Sequence, residues 1–572
     1  MKTRSAALLA LLSLAASPVH AAWTPHGVPL CTEPNTQNSP SIVHDGASGA
    51  IVVWADSRFL GSNIYAQRID STGTPLWSLD GVPVCSAPNS QVGPFASPGY
   101  GSGALVVWED LRIGNNGDIY AQRLDGNGVG QWAFNGILIS TSSNDARAPR
   151  ALPDNIAGGF ETPGWIVVWR AEPNSDDHEF RAQHVNTSGT GSWPFGGAQL
   201  SGGGVPLRTP AMATDGAGGL FAPKGAVVVW DQYNGSPTGY DVRANRVSGS
   251  GAVQWGGVTG VSICALMGSQ TDPDIVAVSG GNVIVTWGDG RDLVNDIYAQ
   301  KLNSAGAAQW LDDGLPVCRA SGAQHAPKLT IDGAGGVIAV WQDNRSGVLK
   351  IFAQRLDGNG LPLWTVDGIP LCTAAGVQSS PAIVTDASGG AIVVWEDRRS
   401  GTEDLYAQRV DGNGNLLWPS DGVPVSLAAQ DQRFAQLTSD GTHGAIAGWY
   451  DTRAGNGDIY ANRILASGYM VDVPGEVSPR RLRLAFVSSH PARGEVRLRL
   501  ELPEAALVRA EVLDAQGRRV RLLNAGSHHD AGAHVLAWNG TDDAGHPVAA
   551  GLYFARVRAG AEALATRIVR LR

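Results

Sequence analysis

Residues 391–418 read A-I-V-V-W-E-D-R-R-S-G-T-E-D-L-Y-A-Q-R-V-D-G-N-G-N-L-L-W, and most of the chain before residue 470 is built from copies of this stretch. Ala391 to Trp395 is an apolar, β-branched run suited to a buried strand. Asp404 to Val410 alternates, with Leu405, Ala407 and Arg409 on one face and Tyr406, Gln408 and Val410 on the other. Asp411-Gly412-Asn413-Gly414 then supplies a turn, and the chain returns in a strand ending at Trp418. Upstream, S-P-A-I-V-T-D (380–386) adds one more strand before the Gly-containing turn at Ala387 to Gly390. Each unit therefore reads as four strands.

The V-V-W-x-D-x-R core recurs with its Trp at 54, 108, 169, 230, 287, 341, 395 and 449, and a second Trp falls at 23, 77, 132, 193, 255, 310, 364 and 418. These positions take up sixteen of the eighteen Trp. A lone four-stranded sheet with Trp, Val and Ile on both faces cannot bury both, whereas sheets stacked radially around an axis can. Eight units predict an all-β fold, an eight-bladed β-propeller over residues 22–471, resembling the propeller repeats of secreted bacterial proteins. Two smaller propellers or a solenoid fit less well, because the 54-residue spacing resumes after the longer central units without a linker. Trp23 to Cys31 is a fourth-strand segment with no third strand before it, so it is expected to complete the blade begun at 435–465. Gly468 to Val471 is the alternative final strand.

Composition agrees. The 572 residues include 74 Gly and 32 Pro and are only 16% charged, which excludes a helical bundle and a charge-rich disordered chain. Net charge is −10, unsuited to nucleic acid. Lys2 and Arg4 precede an apolar run from Ala6 to Ala16, with small residues near Ala21, so residues 1–21 read as a secretory signal. No later apolar run reaches the ~20 residues of a membrane-spanning helix. Cys31, Cys85, Cys264, Cys318 and Cys372 occupy equivalent places in their units, where Ser140, Ser201 and Ser426 stand in others. Neighbouring sheets lie ~10 Å apart, beyond disulfide reach, so these are expected to be buried free thiols.

After a linker at 472–487 the pattern changes. Val496 to Leu502 and Ala510 to Asp514 alternate strictly, Gly517-Arg518-Arg519 marks a hairpin, and Trp538-Asn539-Gly540, Asp542 to Gly545 and Gly551-Leu552-Tyr553-Phe554 follow. Residues 478–572 hold fifteen Arg against nine acids. The order of these motifs over 488–572 resembles the FlgD-type immunoglobulin-like domain, a pattern that also recurs as a C-terminal type IX secretion sorting or surface module. The resemblance implies a small β-sandwich that sorts, anchors or spaces the domain before it. It does not imply flagellar hook assembly. The chain ends in Arg570-Leu571-Arg572, where sorting domains commonly carry Lys.

Chemistry is harder to find. Asp–Arg pairs follow six of the first Trp, for example Asp397 and Arg399, and sixfold repetition points to structure, because catalysis needs one site. Gln37, Gln91, Gln270, Gln324, Gln378 and Gln432 precede the first strand by a fixed step. On the innermost strand they are candidates to ring one mouth of the channel and bind a glycan; capping their own loops is the competing role. The third unit replaces the Asp–Arg pair with an acidic loop, making Glu172, Asp176 and Asp177 further candidate ligand-binding residues. No D-x-D-x-D-G loop accompanies them, and His528, His529 and His534 lack zinc spacing, so no metal or cofactor is expected. There is no G-x-x-x-x-G-K-[ST], H-E-x-x-H or G-x-S-x-G motif, so no catalytic residue is assigned. These observations predict a secreted or cell-surface bacterial binding platform with a glycan or protein ligand, reaching secretion or surface machinery through its C-terminal module. The alternative is a carbohydrate-active propeller enzyme with its site at the axial mouth.

Overall fold

The computed structural model describes residues 23–468 and 483–571, except 60, 115, 141–144, 155–162, 175–176, 195, 209, 217–223, 236–238, 487–491, 493, 503–505, 530–531 and 560–561. Residues 1–22, which include the segment expected to be a secretory signal, and residues 469–482 lie outside them. The described residues contain strands and two short 3-10 turns, with no α-helix and no segment long and apolar enough to cross a membrane as a helix. They fall into two compact units, one on either side of residues 471 and 472.

In the first unit, Gln37–His44, Ala50–Asp56, Asn63–Ile69 and Val82–Cys85 form an antiparallel four-stranded sheet in chain order. Six further sheets repeat that order. The eighth is made of Gln432–Ser439, Ala445–Asp451 and Asp458–Ile464, completed by Val28–Cys31 from the N-terminus. That is the closure the position of Trp23 predicts. First strands of consecutive sheets lie against one another, and the first strand of the eighth sheet lies against Gln37–His44.

Each second strand is mostly apolar up to its Trp because both its faces are covered. Val393 and Trp395 pack with Ile338, Val340 and Trp364 of the preceding sheet, while Ile392 and Val394 pack with Ala445, Ala447 and Trp449 of the next. Trp54, Trp108, Trp230, Trp287, Trp341, Trp395 and Trp449 are fully buried.

The fourth strand departs from the sequence reading. Leu416 makes only an isolated bridge to Val410, and regular pairing resumes at Val423–Ser426, beyond Trp418. Between them the buried Gln408 side chain replaces the backbone ladder, accepting from the Trp418 amide at 3.1 Å and donating to the Pro419 carbonyl at 2.7 Å. The excursion swings Trp418 into the core. A glycine ends it: the equivalent Gly368 has φ 82°, and a Cβ there would sit 2.5 Å from the Trp341 indole.

The second unit is a sandwich of a three-stranded sheet (Arg483–Phe486, Val496–Leu502, Gly532–Trp538) and a four-stranded sheet (Arg519–His529, Ala506–Asp514, Gly551–Ala559, Glu562–Arg570). Val496, Leu498, Val512, Trp538, Val557 and Ile568 form its core. Strand Arg483–Phe486 pairs with Val496–Leu502, so ordered structure begins ahead of residue 488. Its Leu484 packs on the sandwich core, a contribution too short to show as an alternating run in the sequence.

Candidate functional site

The Asp–Arg pairs are structural. Arg399 holds both Asp397 oxygens through Nε (2.9 Å) and Nη2 (2.6 Å), and Trp395 Nε1 donates to the same carboxylate at 2.9 Å. Nη2 also reaches Cys372 Sγ at 3.1 Å and the Asp421 carbonyl at 2.9 Å, and the guanidinium lies 3.7 Å over the Tyr406 ring. Cys372 belongs to the preceding sheet, so the cluster ties two sheets together. The same arrangement recurs at Asp56, Asp110, Asp289 and Asp343, each beside a buried free thiol. At Asp451 the thiol is replaced by Ser426.

The six glutamines are fully buried and do not line the channel. Their amide nitrogens donate to their own loops, Gln324 to the Ala320 and Gly322 carbonyls and Gln432 to those of Ala428, Ala429 and Gln430. Loop capping is the role the geometry supports. Glu172 also lies away from the cavity, ion-paired to Arg170 at 2.7 Å and beside Arg147. Its charge is neutralised by guanidinium groups, which leaves no carboxylate cluster for a cation. Asp176 and the Asp177 side chain lie outside the described residues. No group of three or more metal-ligating side chains occurs among the described residues.

What does open into the channel is set by a bulge. Pairing slips between Asn38 and Ser41, Val92 and Phe95, Arg147 and Arg150, Thr271 and Asp274, His325 and Lys328, Ser379 and Ala382, and Arg433 and Gln436. The bulged residues Ser39, Ala148, Asp272, Ala326, Ser380 and Phe434 take positive φ between 48° and 54°. That conformation is costly for a side chain larger than Gly and re-aims the residues that follow. Around them lies a cavity of about 1140 Å³, lined by the first-strand residues Phe95, Arg150, Asp272, Asp274, Lys328, Arg433 and Phe434, by Asp231 and Tyr450 of second strands, and by Arg208 ahead of strand Ala211–Thr214. These positions vary from unit to unit. That variation within an otherwise repeating frame is the signal that could have found them.

Phe434 combines a left-handed backbone with a 56% exposed ring. Its amide donates to Glu396 Oε1 at 2.8 Å, and its ring lies 6.2 Å from that of Tyr450. Asp231 is buried, 3.4 Å from Arg208 Nη1, and Arg208 stacks 4.2 Å over the Tyr240 ring. Burial pushes the Asp231 carboxyl up to about 6, opposed by Arg208 and reinforced by Asp272.

Burial likewise raises Asp296 and Asp458 to about 6, each at the start of a third strand. A carboxyl that holds its proton more tightly when folded stabilises the fold in acid, and that contribution fades as pH rises from about 4 through about 6. At Asp289 burial also acts upward but is outweighed by hydrogen bonds from Arg291 and Trp287, so its pKa is lowered. Its contribution is lost only below the ordinary carboxylate range. Asn63 occupies in the first sheet the place of Asp458 in the eighth, so a neutral side chain fits there. Asp458→Asn is therefore expected to raise stability at pH 7.5 by about 1–2 kcal/mol, with the gain disappearing at pH 4.5. Thermal unfolding at the two pH values reads this; an equal gain at both would refute it.

Residues 487–562 match the family model described as FlgD Ig-like domain. No curated protein matches the chain by sequence. Among solved structures, the endo-arabinase of Bacteroides thetaiotaomicron is 15% identical over 42% of this chain and 89% of its own, with a TM-score of 0.26. An α-L-arabinanase of Penicillium chrysogenum is 10% identical over 54% and 90%, with a TM-score of 0.31. PorZ, a surface component of the type IX secretion system of Porphyromonas gingivalis, is 10% identical over 95% and 82%, with a TM-score of 0.26.

Proposed function

We propose that residues 22–471 are an eight-bladed β-propeller that binds a saccharide at the mouth of its channel, in a secreted or cell-surface bacterial protein that residues 488–572 sort or attach. One observation carries this reading. Side chains that differ from unit to unit converge on one cavity that sets the exposed Phe434 ring and the half-buried Phe95 and Tyr450 rings among charged groups. Aromatic faces flanked by a few polar groups suit the alternating apolar and hydroxylated surfaces of a sugar.

Glycan-array screening followed by calorimetry tests it. Binding without release of reducing ends is expected, and Phe434→Ala should weaken the selected glycan at least tenfold. Unchanged affinity in that variant would remove the channel mouth from the binding site. A second reading, a carbohydrate-active enzyme, is favoured by one feature: the raised Asp231 carboxyl beside Asp272 offers an acid titrating near neutrality. Release of reducing sugar that Asp231→Asn abolishes would establish that reading and displace the first.

A further inference from the structure

We propose that Arg150 forms an anion subsite in this cavity and that the ligand is an acidic saccharide, whose carboxylate or sulfate seats on the guanidinium. The proposal rests on the saccharide reading of the channel mouth and names the class of sugar.

Arg150 follows the bulged Ala148 in strand Asp145–Pro153 and lines the cavity. In two other sheets the equivalent residue is an acceptor satisfied by the neighbouring first strand. Ser41 Oγ takes the Ala96 amide at 3.1 Å, and Asp274 Oδ2 takes the Leu329 amide at 2.8 Å. A guanidinium has donors only and cannot play that part. Among the described residues one of its five N–H groups is committed, Nη1 to the Pro149 carbonyl at 2.9 Å, and the group lies 5.1 Å from the Phe95 ring centroid.

No carboxylate is ion-paired to Arg150 among the described residues. Those at the mouth are placed elsewhere: Asp231 beside Arg208, Asp274 on the Leu329 amide, and Asp272 acting on Asp231. Burial lowers the Arg150 pKa with no charge acting to restore it. Lys328, exposed at the same mouth, is likewise in no ion pair among the described residues. Two unpaired cations in one cavity stand out in a chain of net charge −10. A carboxylate, or two oxygens of a sulfate, match the guanidinium fork bidentately.

The full chain is titrated calorimetrically with oligogalacturonate, with a sulfated oligosaccharide and with a neutral oligosaccharide of equal length. At least one acidic ligand is expected to bind ten times more tightly than the neutral one, and the stronger of the two identifies the oxyanion. Arg150→Gln should cost that ligand about 10- to 100-fold, with Arg150→Lys intermediate. Because Arg150 has no carboxylate partner to lose, Arg150→Gln should melt no lower than the parent. Equal binding of acidic and neutral sugars, or indifference to Arg150→Gln, overturns the anion subsite and leaves the saccharide reading standing. If no saccharide binds, the saccharide reading falls and the subsite is judged by melting in sodium sulfate and sodium galacturonate against sodium chloride. A stabilisation by either salt that Arg150→Gln removes sustains it, and its absence overturns it.

Discussion

Replacing Trp23 by Ala is expected to lower the unfolding free energy by about 3–5 kcal/mol, the range for deleting a buried indole. Trp23 is 2% exposed and packs with Val28, Leu30, Trp54 and Ile459, joining the two ends of the repeat region. Its Nε1 donates to the Ser71 carbonyl at 2.9 Å, where Arg463 Nη1 also donates at 3.0 Å. Elsewhere Trp364 and Arg355 converge on the Gly412 carbonyl in the same way, at 3.1 and 2.7 Å. The seam is therefore one more copy of a bond that also joins five other pairs of neighbouring sheets, made here between chain ends. Trp364→Ala serves as the comparison and should cost a similar amount in chemical denaturation followed by circular dichroism. Removing residues through Cys31 should do more, because strand Asp458–Ile464 is left as an open edge and its sheet loses a member. Protease cleavage should then begin in residues 432–464. A Trp23→Ala variant as stable as the parent would mean the ends are not held together through this contact.

Asp397→Ala is the second large effect, about 3–5 kcal/mol. The carboxylate is fully buried, and its loss strands the Arg399 guanidinium and the Trp395 Nε1 donor in the interior. Arg399→Ala should cost a comparable amount. The double variant should cost clearly less than the two together, with a coupling of about 2 kcal/mol, because each single change already forfeits most of the cluster. Additivity would show that the two side chains act independently. Two sheets already lack the cluster. Trp230 Nε1 falls back on Gln232 Oε1 at 3.3 Å, and Trp169 Nε1 is buried without a hydrogen-bond partner among the described residues. Both belong to the irregular units, where the fold has given up this bond.

The cysteines show how much of this was legible. Their spacing marked them as equivalent and buried, and the exchange with Ser suggested a small side chain. What the spacing could not show is the partner. Each thiol lies under an Arg of the next sheet, 27 residues later in the chain, and Ser140 and Ser201 precede the two sheets in which that Arg is missing. There the Ser hydroxyl accepts a strand amide of its own sheet, Ile119 or Phe180. The glutamines teach the reverse lesson. Their regularity looked functional, and in the six units that carry them the amide caps its own loop.

By itself the sequence determined the repeat, the strand content, the N-terminal origin of the closing strand and the separate C-terminal module. Each follows from short-range rules, the period of apolar residues and the chemistry of turns, repeated often enough to average out local exceptions. Tertiary structure alone decided what faces the channel. A one-residue slip at each bulge re-aims the first strands, so Phe434 and Arg150 meet in one cavity, which Asp231 reaches from a second strand, although the three are scattered over almost three hundred residues.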